Sequence, residues 1–218
     1  MKNSEARALH EEGVRKTQMN DLAGALQCHE QALDALIGTD GEVLCRAAMG
    51  ILRVRLGQID SGFEHLHKAL EVALETDDRR GQMTVLGDLG SANQLIQNLA
   101  TAEESYERGL AIAQLLNSRA NIGKFMANLG LVQISTGKIR AGRSRLLDAL
   151  SIHEEMNDAQ GIGMCHGGLG MACLGEGNPA SAVQHFEQAM RVAKSIGNQA
   201  MYENAANGLA AARGAMGV

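Results

Sequence analysis

Apolar residues recur along the chain with the spacing of amphipathic helices, and the pattern repeats every 40 residues. The helical spacing breaks near the middle of each unit, at stretches such as TGKI (136–139) and GEGNPA (175–180). It breaks again at the end of each unit, at ETDD (75–78) and MND (156–158). Two helical segments joined by a short turn predict an antiparallel helix pair. The chain is therefore predicted to be a series of such pairs.

A few small and apolar positions carry the repeat. A glycine preceded by an apolar residue recurs at the 40-residue interval, and an alanine continues the series: Gly50, Gly90, Gly130, Gly170 and Ala210. A small residue follows twelve positions later, at Gly62, Ala102, Gly142 and Ala182. A large residue follows four positions after that, at Leu66, Tyr106, Leu146 and Phe186. An N-terminal unit aligns through Gly13 after a three-residue deletion. One fixed period of this length indicates a helical solenoid.

The glycines of the repeat need a physical reason. A glycine inside a helix costs roughly 1 kcal/mol relative to alanine. The small residues recur where the two helices of a pair would cross, and close backbone approach there would gain dispersion contacts. We therefore interpret these glycines as part of the architecture.

The spacing of these small and large positions resembles the tetratricopeptide repeat, a helix-turn-helix unit. Segments such as ANLGLVQISTGKIRAG (127–142) and GGLGMACLGEGNPASA (167–182) carry the resemblance. The 40-residue period is most similar to the longer repeats of spindle-orientation adaptors and kinesin light chains. HEAT-like repeats share the period and are the structural alternative.

The predicted fold is all-α, and the resemblance implies a right-handed α-solenoid of antiparallel helix pairs. The repeats are predicted at about 1–38, 39–78, 79–118, 119–158 and 159–198. A last helix at 199–215 would cover the exposed end of the stack or pair with a second copy of itself. The whole chain is expected to form a single solenoid.

Composition and charge narrow the function. Aromatic residues make up 2% of the chain and there is no tryptophan, which favours closely packed helices over strands. The formal net charge of −5 argues against a nucleic-acid partner. The N-terminal residues contain no long apolar run, so we expect neither a signal peptide nor a membrane span, and a cytoplasmic location. The four cysteines show no C-x-x-C pair and are expected to be buried free thiols.

The resemblance implies that the first helix of each pair lines a concave groove. Transferred to this sequence, the partner-binding residues of that groove are Leu44, Ile51, Val54, Thr84, Ser91, Gln94, Lys124, Leu131, Ile134, Met164, Met171, Leu174, Asn204 and Asn207. Most of them are apolar or small, and such a surface would suit an amphipathic helix or an extended apolar peptide. The alternative is that some of these side chains belong to the core between helices.

No catalytic, cofactor-binding or metal-binding motif is predicted. Cys165 and Cys173 would lie about 12 Å apart on one helix, too far to share an ion. Adjacent Cys and His residues, as in CHE (28–30), diverge by about 100° on a helix. The glycine-rich run GIGMCHGGLG (161–170) lacks the preceding strand and the lysine of a phosphate-binding loop. Arg140 and Arg143 share a helix face that is expected to be a solvated outer surface.

The sequence thus predicts a non-enzymatic scaffold or adaptor that binds a protein or peptide in its groove. Two alternatives remain. One is a self-assembling structural solenoid that forms dimers or filaments through the C-terminal helix or through the ends of the stack. The other is a peptide-sensing regulatory module.

Overall fold

The computed structural model describes residues 3–39 and 41–217, which form eleven α-helices and contain no strand. The helices are α1 (Asn3–Gln18), α2 (Leu22–Leu36), α3 (Gly41–Arg55), α4 (Ile59–Glu75), α5 (Arg79–Leu95), α6 (Leu99–Leu115), α7 (Arg119–Ser135), α8 (Ile139–Glu155), α9 (Ala159–Gly175), α10 (Pro179–Ser195) and α11 (Gln199–Met216). The first ten helices form five successive pairs, and α11 follows them. The all-α, tetratricopeptide-like fold class is confirmed.

The turns between helices follow a period half as long as the repeat. From Gly57 to Gly217, a residue with positive φ occurs every 20 residues just after a helix: Gly57, Asp77, Gln97, Asn117, Gly137, Asn157, Gly177, Gly197 and Gly217. A left-handed residue is a common way to end a helix because it turns the chain and lets backbone N–H groups bond to the last carbonyls. Both turns of each repeat are therefore built alike, and each repeat consists of two similar halves.

Side chains at several helix starts reinforce these turns. The carboxylates of Asp78 and Asp158 accept hydrogen bonds from the N–H groups of Gly81 and Gly161, at 2.9 and 3.1 Å. Asn198 accepts one from the N–H of Met201 in the same way, at 3.0 Å. Such caps satisfy N–H groups that a helix leaves without a partner at its start.

The contacts divide the chain into two compact units, residues 1–112 and 113–218, and the division falls within α6. In the first unit, one apolar cluster joins α1, α2 and α3, and a second joins α3, α4 and α5. In the second unit, one cluster joins α7, α8 and α9, and another joins α9, α10 and α11. Buried alanines and leucines dominate all four clusters.

A glycine on the first helix of each pair makes room for a large side chain on the second helix. A Cβ added to Gly50 would lie 2.6 Å from Leu66, and one added to Gly170 would lie 2.7 Å from Phe186. Real Cβ atoms do not approach other atoms so closely, so the larger side chains occupy space that only glycine leaves free. The interpretation of these glycines as sites of close approach is confirmed.

The type of large residue in each pair correlates with the small residue on the same helix at the crossing. Two pairs combine glycine with glycine at the crossing and use leucine as the large residue; these are Gly50, Gly62 and Leu66, and Gly130, Gly142 and Leu146. Two others combine glycine with alanine and use an aromatic ring; these are Gly90, Ala102 and Tyr106, and Gly170, Ala182 and Phe186. Where both residues are glycine, the backbones are close: a Cβ on Gly50 would lie 2.8 Å from the carbonyl oxygen of Gly62.

Candidate functional site

The second unit contains an open apolar cavity of about 600 Å³ formed mainly by α9, α10 and α11. Six residues that define it are Met164, Gly167 and Met171 of α9, Phe186 of α10, and Met201 and Asn204 of α11. We call this cavity the α9–α11 groove. Its volume lies in the range of pockets that bind small ligands or a few side chains.

The glycines of α9 and α11 shape the α9–α11 groove in two ways. Gly163, Gly168 and Gly208 are packed: an added Cβ would lie 2.5 Å from Met201, 2.6 Å from Leu131 and against the ring of Phe186, respectively. Gly167 is different, since no neighbouring atom lies within 4 Å of the position its Cβ would take. The missing side chain at residue 167 therefore leaves part of the groove open.

The surface of the α9–α11 groove is apolar and accessible. Met171 is 43% exposed, and Met164 and Leu174 are half-buried. The amides of Gln160 and Asn204 lie at the edge and are exposed. Asn198 also lines the cavity, but its side-chain oxygen is already bonded to the N–H of Met201. The groove thus offers adaptable thioethers inside and two amides at its edge.

The structure brings some of the predicted groove residues of the second unit together and leaves others apart. Five of them line the α9–α11 groove: Leu131, Met164, Met171, Leu174 and Asn204. Lys124 and Asn207 are exposed outside this lining. Ile134 packs against the core cluster of α7, α8 and α9.

The predicted groove residues of the first unit have varied environments. Leu44 is 42% exposed and Thr84 is exposed, while Ile51 packs against the core. Ser91 and Gln94 lie beside the hydroxyl of Tyr106, at 3.2 and 3.0 Å from its oxygen.

Val54 requires a correction. Its side chain is 4% exposed and belongs to the core cluster of α3, α4 and α5, so the prediction that it faces a groove was wrong. Its Cγ2 would lie 2.5 Å from a Cβ on Gly62, which shows that it fills the space left by that glycine. Val54 follows Gly50 by one helical turn and hence shares the face that crosses α4.

Two basic residues of α7 and α8 form surface ion pairs. Arg119 pairs with Glu155, and Arg143 lies 3.2 Å from Glu176. All four side chains are at least partly exposed, so these pairs contribute little to stability. They agree with the interpretation of this face as a solvated outer surface.

The first unit contains a cluster of three possible metal ligands that was not predicted from the sequence. His10 of α1, His29 of α2 and Cys45 of α3 each place one ligand atom within 4.8 Å of the other two. The Nδ1 atoms of the two histidines are 3.2 Å apart, and the thiol of Cys45 donates to the carbonyl oxygen of His29 at 3.3 Å. Spacings of 19 and 16 residues on three helices match no local motif. Only the packing of the three helices brings these side chains together.

Burial changes the protonation of this cluster. It lowers the pKa of His29 to about 4, helped by the neighbouring His10, and it lowers the pKa of His10 as well. It raises the pKa of the Cys45 thiol to about 12. Burial thus favours the neutral form of all three groups.

A second histidine pair lies in the other unit. The Nδ1 atoms of His166 and His185 are 3.1 Å apart, and these residues are again 19 positions apart. Among the described residues, no third histidine, cysteine or carboxylate joins them in a possible metal site. The two pairs therefore share a geometry but differ in ligand number.

The cysteines are as the sequence analysis predicted. Cys28, Cys45, Cys165 and Cys173 are free and buried. Burial also raises the pKa of Cys165, to about 12. A thiol protonated so firmly is a poor nucleophile.

None of the helices within residues 3–39 and 41–217 combines the length and the apolar character needed to span a bilayer.

Comparison with protein families agrees with the fold. Residues 43–114, about a third of the chain, match the family model of the tetratricopeptide repeat. This match confirms the resemblance predicted from the sequence. No curated protein matches the chain in sequence.

Solved structures of low sequence identity share the fold. A Pyrococcus horikoshii signal transduction ATPase with numerous domains, which has a tetratricopeptide repeat sensor, matches with a TM-score of 0.79 and 14% identity over 95% of this chain. This chain spans only 32% of that protein. A Podosopora anserina protein with kinesin light chain repeats matches with a TM-score of 0.66 and 18% identity, over 88% of this chain and 97% of the other.

A third similar structure is that of a Rap protein complexed with Competence and Sporulation Factor. It matches with a TM-score of 0.70 and 16% identity, over 91% of this chain and 55% of the other. At these identities the likeness concerns the fold alone.

Proposed function

Because the chain has the fold of tetratricopeptide repeats, we propose that it is a non-enzymatic binding module whose α9–α11 groove takes a short apolar segment of a partner protein. One observation carries this proposal: an open apolar cavity of about 600 Å³ with an exposed methionine on its wall. Proteins of this fold are generally protein-interaction modules, which supports a partner of the same kind here.

The chemistry of the groove favours apolar side chains as its occupants. Met164, Met171 and Met201 lie on its wall, and thioether side chains adapt to ligands of different shape. Covering the exposed part of Met171 and its neighbours removes apolar area from water, at roughly 25 cal/mol per Å². Two or three inserted side chains would therefore supply most of the affinity.

The edge of the groove favours a peptide over a purely apolar ligand. A peptide backbone carries N–H and C=O groups that must be satisfied when water is excluded. The exposed amides of Gln160 and Asn204 can donate to a carbonyl and accept from an N–H. They would fix the position of the backbone while apolar side chains enter the cavity.

A peptide-sensing regulatory module is the second candidate function. It is supported by the similar fold of the Rap protein complexed with Competence and Sporulation Factor, and by that of the ATPase with a tetratricopeptide repeat sensor. The two functions share the groove and its ligand. They differ in whether binding changes the conformation of the protein.

The test compares two glycines, one in the groove and one outside it. At both positions the space around an added Cβ is open. Peptides are first selected from a phage-displayed random library against the full chain, and the affinity of a selected peptide is measured by isothermal titration calorimetry. Gly167→Leu places a large side chain in the groove, and no neighbouring atom lies within 4 Å of the position of its Cβ. Gly214→Leu is the matched control, since residue 214 also lies on a helix with open space around its Cβ position, outside the groove lining.

We expect Gly167→Leu to weaken binding of the selected peptide at least about 100-fold and Gly214→Leu to leave it unchanged. Equal affinity for the two variants would contradict the proposal, as would a library that yields no binding peptide. Circular dichroism of both variants establishes that they retain the helical fold.

A further inference from the structure

We propose that His10, His29 and Cys45 bind a single zinc ion that joins the first three helices. Each ligand comes from a different helix, α1, α2 and α3. All three lie in the first unit, and the site is independent of the α9–α11 groove.

The distances between the ligand atoms suit a tetrahedral ion. Two nitrogens at 2.0–2.1 Å from a tetrahedral zinc are about 3.3 Å apart, and a nitrogen and a thiolate sulfur are about 3.6 Å apart. The Nδ1 atoms of His10 and His29 are already 3.2 Å apart. All three ligand atoms lie within 4.8 Å of one another, so a modest shift of the Cys45 side chain toward the histidines would bring its sulfur to bonding distance of a shared ion.

The placement of His29 is otherwise hard to explain. It occupies the repeat position of Leu66, Tyr106, Leu146 and Phe186, where the other helix pairs bury an apolar side chain. His29 is fully buried. Its Nδ1 faces another polar group, the Nδ1 of His10. A polar ring buried at an otherwise apolar position needs a reason, and ligation of a metal through Nδ1 supplies one.

The chemistry of the ligands fits metal binding. Zinc binds the neutral imidazole ring through the lone pair of a ring nitrogen. Cys45 has to lose its proton: the S–H bond breaks, the proton passes to solvent and the sulfur forms the bond to zinc. A bound zinc ion favours the thiolate over the thiol.

One of the three ligands also borders a surface cavity of the same unit. The cavity, of about 160 Å³, is lined by His10, Glu11, Arg7, Leu36, Gly41 and Leu44. His10 is half-buried and contacts both this cavity and His29. With three protein ligands, a water molecule would be the fourth ligand of a tetrahedral zinc ion.

The donor set selects zinc over harder ions. Two imidazole nitrogens and one thiolate form a mixed set that suits zinc, whereas magnesium and calcium prefer oxygen ligands. Cobalt(II) is a useful probe, since it adopts similar tetrahedral sites and absorbs in the visible range.

The test measures zinc affinity of the full chain by competition with a chromogenic chelator. His10→Gln and Cys45→Ala each remove one ligand, and His10 is half-buried, so its variant is expected to fold. The matched control is His166→Gln, which disrupts the other histidine pair at the same Nδ1 spacing. Cobalt(II) added to the wild type gives an independent readout through its thiolate charge-transfer absorption.

We expect one zinc ion per chain, a dissociation constant below about 1 μM, and at least about 100-fold weaker binding in His10→Gln and Cys45→Ala. His166→Gln should bind as the wild type does. A wild type that binds no more tightly than Cys45→Ala would overturn the proposal. An equal loss in His166→Gln, or a cobalt spectrum without a thiolate band, would do so as well.

Discussion

The first and the last helix pair use the same three positions of the repeat for different chemistry. In the first pair these positions hold two histidines and, on the following helix, a cysteine: His10, His29 and Cys45. In the last pair they hold Gly167, Phe186 and, on the following helix, Ala205. The first set forms the proposed metal site, and the second lines the α9–α11 groove.

The comparison shows that the repeat determines where a site can form, whereas individual side chains determine its chemistry. The crossing glycine, Gly13 or Gly170, makes room for a ring on the second helix of either pair. The residue three positions before the crossing glycine differs between the two pairs. In the first pair it is His10, whose ring contacts His29; in the last pair it is Gly167, which leaves the space beside its Cα open. The same backbone thus supports a polar cluster at one end of the sequence and an apolar groove at the other.

The largest expected effect on stability comes from removing the side chain of Phe186 in the last helix pair. Phe186→Ala deletes a side chain that is 2% exposed and should lower the free energy of unfolding by about 3–5 kcal/mol. Urea unfolding followed by circular dichroism measures it. His29→Ala, measured with a chelator present, should cost less because a buried polar ring contributes less. A larger loss in His29→Ala would contradict the comparison.

The third helix pair, α5 and α6, contains a carboxyl group, Asp88, whose effect on stability depends on pH. Burial raises the pKa of Asp88 from 3.8 to about 7, so above pH 7 the folded state holds a carboxylate that it disfavours. The unfavourable contribution is fully present above pH 7 and disappears as the pH falls toward 3.8. Asp88→Asn should therefore raise the free energy of unfolding at pH 8, by on the order of 2 kcal/mol, and change it little at pH 4.

Urea unfolding of wild type and Asp88→Asn at both pH values measures this difference. A gain of the same size at pH 4 and pH 8 would show that the carboxylate charge is not its cause.

Replacing His29 of the first helix pair by phenylalanine, the residue type found at Phe186 in the last pair, should stabilise the metal-free protein. His29→Phe replaces a buried polar ring with an apolar one, and Ala25 provides the same glycine and alanine crossing that holds Phe186 and Tyr106 elsewhere. We expect a gain of about 1–2 kcal/mol in unfolding free energy with a chelator present, together with loss of zinc binding. A loss of stability in the metal-free protein would show that His29 is required for packing.

The smallest effects distinguish the two kinds of glycine on α9. Gly167→Ala should raise the free energy of unfolding by about 1 kcal/mol, because alanine favours the helix and nothing obstructs its Cβ. Gly170→Ala should lower it by about the same amount, since its Cβ would lie 2.7 Å from the ring of Phe186. Thermal unfolding of the two variants side by side checks the signs. Equal signs would remove the distinction between open and packed glycines.

Much of the fold could be predicted from the sequence because the repeat is periodic and local. The turns at TGKI and GEGNPA correspond to the helix ends at Ser135 and Gly175. The regular spacing of Gly50, Gly90, Gly130 and Gly170 indicates the helix crossings. Helix periodicity and glycine spacing depend on neighbours a few residues away, which the sequence records directly.

The candidate sites were harder to predict because they depend on which face of a helix meets its neighbours. Val54 and Leu174 follow the same pattern in the sequence, but Val54 fills the space beside Gly62 while Leu174 lines the groove. His10, His29 and Cys45 meet only through the packing of three helices. A histidine at the position of Leu66 and Phe186 was the one signal in the sequence that could have indicated this cluster.

The most direct test of the groove is a nuclear magnetic resonance titration of the full chain, carrying ¹³C-labelled methionine methyl groups, with a selected peptide. The chain has 11 methionines, and three of them, Met164, Met171 and Met201, line the α9–α11 groove. The account predicts that the peptide shifts the signals of these three and leaves Met49 and Met83 of the first unit unchanged. Shifts at Met49 or Met83 with none at Met164, Met171 and Met201 would contradict it.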